Sequence, residues 1–498
     1  MPSQGRGQGF KSPHLQKFIK MKDLIETALN TFDGKNIQYG EIRILERESE
    51  EIVIKNGEIE VLNKSEEIGF GIRVFKNGGM GFSSSNILSK ENVYKTVLEA
   101  ISIAEASSKI SDKKFIFSKE EVYKDKYKTE IKKDPFEVPL VDKISLLLKI
   151  DEILRKKPEI VLTNLTLAFI KTKKYFASTE GSFIEQEIIE SGGGYTAYAF
   201  KDGELQQRSY PSAHGGNYAT MGWEFIESLN LLENAERIRD EAIALLSAKS
   251  SPEGIFDLIL LPGQMVLQIH ESIGHALELD RVLGYEASYA GTSFATIEKL
   301  GNFKYGSELV NITSDNTYPG GLGTYGYDDE GVKGKKVYLI KEGILVDYLS
   351  SRDTAPHIGK NSNACARASS YNRIPIVRMT NVNLEPGDKE LEELIGEIDE
   401  GIMMDINKSW SIDEKRLNFQ FGCEIAWKIE KGKIKEMLKN PIYWGITPNF
   451  WNSCDGIGKK QELFGLLNCG KGEPGQIMHV GHATPPARFR KVNCGSKK

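Results

Sequence analysis

One segment constrains this chain more than any other: residues 270–275 read HESIGH, with a glutamate between two histidines that stand five positions apart. The chain has only seven histidines. Imidazole is a common zinc ligand, and a neighbouring glutamate can activate metal-bound water. Residues of an α-helix turn by about 100° each, so histidines five apart point about 140° away from each other and cannot share one ion.

A wider, π-type turn would bring the two histidines together, and such turns occur mostly at functional sites. Gly274, directly before the second histidine, is a poor helix residue and eases the distortion. The alternative is a regular buried helix whose histidines are merely hydrogen-bonded. If both histidines bind one ion, we expect a π-type turn between Leu267 and Leu277, with at least one i→i+5 backbone hydrogen bond.

A catalytic zinc ion usually has three protein ligands and an open position for water, so a third ligand must come from outside the motif. The candidates are Glu278, His479, His482, Cys365, Cys423, Cys454, Cys469 and Cys494. We prefer Cys469, because flanking glycines allow a close approach and Lys471 favours its thiolate. The alternative for Cys469 is an inert, partly buried thiol.

Composition predicts a folded, soluble protein with more than one domain. The length of 498 residues exceeds what one core usually serves, and 40% hydrophobic and 27% charged residues are ordinary for globular proteins. The net charge of −5 gives no electrostatic basis for binding nucleic acid.

No apolar run is long enough to span a membrane, and residues 1–20 lack the apolar core of a secretory signal. An odd number of cysteines predicts reduced thiols, and therefore a cytoplasmic location.

Turn and periodicity signals predict an α+β fold. Asn-Gly pairs at 56–57 and 77–78 lie between strand-like runs and are strong hairpin signals. Helical periodicity covers residues 22–32, 92–106, 141–155, 224–248 and 389–400. We expect a disordered extension at residues 1–20 and an N-terminal α/β-type domain with an antiparallel sheet and helices at residues 21–249. A C-terminal, mostly antiparallel β domain at residues 250–498 should carry the metal-site helix.

Five blocks of sequence, in the same order, resemble the TldD/PmbA family of metalloproteases over nearly the whole chain after residue 21. The blocks are residues 65–74 with 81–86, 270–278, 325–331, 375–381 and 469–472. Any one block alone would be a weak signal, whereas five in order are specific.

The resemblance implies a zinc-dependent peptidase that acts on peptides or unfolded protein segments in the prokaryotic cytosol. It implies that His270, His275 and Cys469 hold the zinc ion and that Glu271 is the general base. It also implies a dimer, either a homodimer or a heterodimer with a family paralogue, with the site in a cavity that admits extended chains. Because the chain keeps HExxxH, it resembles the catalytic type of subunit.

Three points stay open from the sequence. The alternative function is a non-catalytic assembly subunit stabilised by zinc, which a fourth ligand from Glu278, His479 or His482 would favour. The oxyanion donor besides zinc is unidentified, and His482, Tyr327 and Arg378 are the candidates. The acids at 328–330 are interpreted as a solvated turn rather than as groups that orient a ligand histidine or bind a peptide amine.

Overall fold

The computed structural model describes residues 13–110, 115–213, 215–472 and 474–497. Its α-helices are α1 (Pro13–Phe32), α2 (Lys90–Ile110), α3 (Leu140–Leu154), α4 (Trp223–Ser228), α5 (Leu231–Ser247), α6 (Pro262–Ile269), α7 (Leu279–Val282), α8 (Leu391–Gly396) and α9 (Thr447–Asn452). Because α1 begins at Pro13, residues 13–20 are helical, and the predicted disordered extension is wrong for them. Residues 1–12 of that extension lie outside the described residues.

The N-terminal part is built on a long, mostly antiparallel sheet. Its strands are β1 (Tyr39–Lys55), β2 (Glu58–Lys76), β3 (Gly79–Ser85), β4 (Lys124–Lys128), β5 (Ile160–Ser178), β6 (Phe183–Lys201), β7 (Glu204–Tyr210) and β8 (Asn217–Ala219). The order is β3-β2-β1-β5-β6-β4, with β7 and β8 also paired to β6. The predicted hairpins are confirmed: both Asn-Gly pairs connect these strands with positive φ at each residue, as type I′ turns require.

Two helical layers cover this sheet and form separate cores. Helices α1 and α2 pack on β1, β2 and β3, and the apolar stripe of α2 is buried as its periodicity predicts. Helices α3 and α5 pack on β5, β6 and β7. The single helix expected over residues 224–248 is two helices, α4 and α5, because Asn230 between them adopts a left-handed conformation with φ 49°.

The C-terminal part is rich in antiparallel strands. They are β9 (Lys249–Ser250), β10 (Gly254–Leu260), β11 (Ile312–Asp315), β12 (Lys336–Lys341), β13 (Ile344–Leu345), β14 (Ala366–Arg367), β15 (Ile376–Val377), β16 (Val382–Leu384), β17 (Glu400–Ile412), β18 (Asn418–Glu430), β19 (Lys433–Lys439), β20 (Pro441–Ile446), β21 (Cys454–Ile457), β22 (Glu462–Lys471), β23 (Gln476–Thr484) and β24 (Ala487–Ser496). Strands β17, β10, β24, β20 and β18 pair in that order, and β18 pairs again with β17, which closes the ring. The α+β fold class is confirmed.

The helix that leads into the HESIGH segment comes directly after β10, one of the strands of this ring. Strand β10 ends in the fully buried run Leu258–Leu260, and α6 begins at Pro262, a residue favoured in the first turn of a helix. All residues of α6 are buried. The ring therefore holds the motif in the interior of the C-terminal part. No helix among the residues placed by the structure is long and apolar enough to cross a membrane.

The interpretation of residues 328–330 as a solvated turn is wrong. Asp328, Asp329 and Glu330 are only 3%, 7% and 2% exposed. Glu330 accepts a hydrogen bond from Arg73 at 2.8 Å, and Asp329 accepts one from Lys174 at 3.0 Å. Burial, together with the neighbouring Glu330, raises the pKa of Asp328 well above its usual range. Asp329 and Glu330 therefore form buried ionic contacts between the N-terminal and C-terminal parts, whereas Asp328 accepts hydrogen bonds from the backbone N–H groups of Glu330, Val332 and Ala366.

Candidate metal centre

The HESIGH segment forms the π turn that the histidine spacing predicts. Helix α6 ends at Ile269, residues His270–Gly274 form a π-helical turn, and a 3₁₀ turn follows at His275–Leu277. The N–H of His275 donates to the carbonyl of His270, which is the predicted i→i+5 hydrogen bond. The predicted distortion is confirmed, and the ring centroids of the two histidines lie 4.9 Å apart.

Gly274 is required for space rather than for backbone freedom. Its φ of −52° is one that any residue adopts in a helix. A Cβ atom at this position would lie 2.0 Å from Sδ of Met379, a side chain that is fully buried. The close approach of Met379 therefore excludes a side chain at the π turn.

The structure brings His270, His275 and Cys469 together. One ligand atom from each of them lies within 4.8 Å of the others, and the three residues are 4–5% exposed. Nε2 of His275 is 3.6 Å from Sγ of Cys469. Zinc bonds of about 2.0–2.1 Å to nitrogen and about 2.3 Å to sulfur, at a tetrahedral angle, separate the two atoms by about 3.6 Å. The donor set and this spacing fit a metal ion such as zinc.

His482 determines which ring nitrogen of His270 is available to a metal ion. Nδ1 of His482 is 2.7 Å from the carbonyl of Val382, which has no hydrogen, so this nitrogen carries the proton. Burial lowers the pKa of His482 to about 3, so its ring is neutral and Nε2 has a lone pair. Nδ1 of His270, 3.0 Å away, therefore donates to His482. His270 is left with a free lone pair on Nε2, the form that binds a metal.

Glu278 orients His275 in the same way. Its carboxylate lies 2.9 Å from Nδ1 of His275, so Nε2 of that ring faces Cys469. Nζ of Lys471 is 3.3 Å from Glu278, and both side chains are fully buried. Burial alone would raise the pKa of Glu278, but Lys471 and His275 hold it well below its usual range. Glu278 is thus a charged acceptor that fixes the ring of His275.

Arg378 keeps the sulfur of Cys469 in its reactive form. Its Nη2 donates to Sγ of Cys469 at 3.0 Å. Burial alone would raise the pKa of the thiol, but the charge of Arg378 and the neighbouring His275 outweigh this effect and lower it. The thiolate, which is the form that binds metal, is therefore favoured.

The other residues proposed from the sequence are engaged elsewhere. Both ring nitrogens of His482 are bonded, and Nδ1 of His479 lies 2.9 Å from Glu190 on β6. The hydroxyl of Tyr327 donates to Asp125, and Arg378 donates to Cys469. Within the part of the chain that the structure describes, the group able to hold an ion has three members. The group therefore includes no fourth ligand from Glu278, His479 or His482. Of the oxyanion candidates, His482 and Tyr327 are engaged, whereas Nε of Arg378 is buried without a hydrogen-bond partner among the described residues.

Glu271 has a partner that the sequence analysis missed. Nη1 of Arg416 donates to its carboxylate at 2.5 Å, and the two side chains are 17% and 8% exposed. Arg416 lies in the turn between β17 and β18, 145 residues from Glu271. A charged residue in a polar turn has no sequence signal that would separate it from the surface charges around it.

Comparisons with known proteins identify the family of the chain. Models of the PmbA/TldA metallopeptidase match domain 1 at residues 40–104, the central domain at residues 133–248 and the C-terminal domain at residues 253–496. A metalloprotease of Methanocaldococcus jannaschii is 34% identical over 89% of this chain and 94% of its own length. A zinc metalloprotease TldD homolog of Saccharolobus solfataricus is 28% identical over 55% of this chain and 59% of its own length. The crystal structure of TldE from Thermococcus kodakarensis has the same fold, with a TM-score of 0.72 at 19% identity over 96% of this chain and 100% of that one.

The family models and the relatives named metalloproteases show that the chain is a metallopeptidase. The chain belongs to the PmbA/TldD family, as the order of its sequence blocks indicates.

Proposed function

We propose that this metallopeptidase is zinc-dependent, that His270, His275 and Cys469 hold the ion, and that Glu271 is the general base. The observation that carries the proposal is the convergence of three buried donor atoms whose other contacts leave the metal-binding atoms free. The name of the Saccharolobus solfataricus relative supports zinc as the metal. A bound zinc ion would supply Lewis-acid activation of water and of the substrate carbonyl.

The chain's own residues account for the proton transfers. Glu271 lies inside the π turn between the two ligand histidines and is 6% exposed. From there its carboxylate takes a proton from the attacking water and delivers it to the nitrogen of the leaving amine. The C–N bond of the peptide breaks as that nitrogen takes the proton.

The burial of the site supports peptides or unfolded polypeptide segments as the substrate. The three ligand residues and Glu271 are all less than 7% exposed, so the surface of a folded protein has no access to them. An extended chain is narrow enough to enter such a site. From the resemblance to the family we also propose that the chain forms a dimer, either of two copies or with a paralogue, and that it is located in the cytoplasm. Sedimentation of the purified chain, alone and with a paralogue, tests the dimer.

Metal analysis combined with a hydrolysis assay tests the proposed function. The purified chain should hold one zinc ion per copy and cleave an unfolded peptide, lose activity to a chelator and regain it with zinc. His270→Ala should lose both zinc and activity, whereas His479→Ala, a histidine outside the metal group, should keep its zinc. Full zinc occupancy in His270→Ala, or a zinc-loaded chain that cleaves no peptide, would contradict the proposal.

A further inference from the structure

Arg416 is placed at Glu271 by a rigidly built turn. The N–H of Arg416 donates to the carbonyl of Asp413 at 2.9 Å, and the side chain of Asp413 accepts from the N–H of Leu417 at 2.8 Å and of Asn418 at 3.0 Å. The hydroxyl of Thr447 donates to the carbonyl of Arg416 at 2.8 Å. Arg416 itself has φ 62°, which is uncommon for a residue with a side chain. Residues held in such conformations concentrate at functional sites.

The guanidinium of Arg416 has donors that the protein does not use. Nη1 donates to Glu271, whereas Nε is buried and has no hydrogen-bond partner among the residues placed by the structure. Buried polar groups are usually hydrogen-bonded, and Arg416 also contacts Glu271, so its Nε is free to meet an acceptor that arrives with a ligand. Of the oxyanion candidates from the sequence, His482 and Tyr327 are engaged. The Nε of Arg378, which also has no hydrogen-bond partner among the described residues, lies 3.9 Å from the carboxylate of Glu278.

We propose that Arg416 is a catalytic residue, which donates a hydrogen bond to the substrate carbonyl oxygen as that oxygen becomes negative. This inference rests on the proposed function, since it requires peptide hydrolysis at this site. A planar guanidinium with several N–H groups can hold Glu271 and an oxyanion side by side. Donors aimed at the charge that develops in the transition state contribute strongly to catalysis.

The order of events favours this role. The water oxygen bonds to the carbonyl carbon, Glu271 takes one water proton, and the electron pair of the C=O π bond moves onto oxygen. Arg416 contacts Glu271, so another N–H of its guanidinium is close to the oxygen that becomes negative. The electron pair of the oxyanion then re-forms the C=O bond as the C–N bond breaks. The electron pair of the C–N bond stays on nitrogen, and Glu271 returns the proton to that nitrogen. Arg416 stays charged throughout.

The zinc-loaded full chain with Arg416→Ala and Arg416→Lys tests the inference. Lys415→Ala is the matched control, because Lys415 is an exposed cation in the same turn. We expect Arg416→Ala to lower kcat on an unfolded peptide by about 10²–10³-fold, the range for loss of one oxyanion donor, with zinc content unchanged. Added guanidinium should restore part of kcat to Arg416→Ala but not to Glu271→Gln. Arg416→Lys should retain more activity than Arg416→Ala, because it keeps the charge.

The outcomes separate the inference from the proposed function. A wild-type chain that is fully loaded and cleaves no peptide overturns the proposed function, and this inference with it. A cleaving wild type whose Arg416→Ala variant keeps the kcat of Lys415→Ala overturns the inference alone. A loss of activity that disappears when kcat is expressed per bound zinc also overturns it, because Arg416 would then act only on the structure of the site. If Arg416→Ala does not fold, Arg416→Lys with a wild-type kcat overturns it.

Discussion

Gly274→Ala should damage the metal centre although the change adds a single methyl group. The new Cβ would lie 2.0 Å from Sδ of Met379, 3.1 Å from its Cγ and 3.3 Å from its Cε. Carbon contacts are comfortable at about 3.5–4.0 Å, so one of the two residues must move by more than about an ångström. Met379 is fully buried, so its side chain can move only within the packed interior. Overpacking of this kind costs about 1–3 kcal/mol.

Much of that cost should appear as weaker zinc binding, because Gly274 belongs to the π turn between His270 and His275, the two proposed ligand histidines. At about 1.4 kcal/mol per factor of ten, the zinc Kd would rise by about 5- to 150-fold. Competition with a chromophoric chelator measures this Kd, and the thermal unfolding midpoint should fall as well. The control is Gly470→Ala, next to Cys469, where an added Cβ meets no atom within 4 Å.

A double variant tests the stated cause. Met379→Ala alone leaves a cavity and costs stability, but it removes the atoms that Gly274→Ala would strike. The double variant should therefore bind zinc more tightly than the sum of the two single effects predicts. If Gly274→Ala has the zinc Kd and stability of Gly470→Ala, or if the effects in the double variant are strictly additive, the contact with Met379 does not govern zinc binding.

Two further predictions concern the groups around the ion. Cys469→Ala should lower the zinc content sharply after mild chelation. Cys365→Ala, which changes a buried cysteine outside the metal group, should retain zinc. Equal retention of zinc by the two variants would mean that Cys469 is not the third ligand. His482→Phe removes the acceptor that fixes the ring of His270 and should raise the zinc Kd by roughly 10- to 100-fold, as measured by chelator competition. An unchanged Kd in His482→Phe would show that the tautomer of His270 is set by another contact.

The π turn was predictable because it follows from local geometry. Two histidines five apart, with Glu271 between them, can share an ion only if the helix widens, and the observed hydrogen bond from His275 to His270 has that form. The Asn-Gly hairpins were predictable for the same reason, since a two-residue turn determines its own backbone conformation. Gly274 was identified for the wrong reason, because its neighbour Met379 is 105 residues away in the sequence.

Contacts between distant parts of the chain were not predictable. The sequence predicts a solvated turn for the acids at 328–330. Only the fold brings Arg73 to Glu330, which lies 257 residues further along the chain. Arg416 reaches Glu271 for the same reason, because the closed ring of strands places the β17–β18 turn at the metal centre. A sequence shows which residues are charged, but pairing and burial depend on long-range topology.

Glu271→Gln separates zinc binding from peptide hydrolysis. His270, His275 and Cys469, the proposed ligands, are untouched, so the variant should hold as much zinc as the wild type, while the loss of the proton acceptor should slow peptide hydrolysis by at least about 10²–10⁴-fold. Glu414→Gln, an exposed acid in the turn that carries Arg416, is the control and should cleave normally. A zinc-loaded Glu271→Gln variant that digests an unfolded peptide at nearly the wild-type rate would contradict the account.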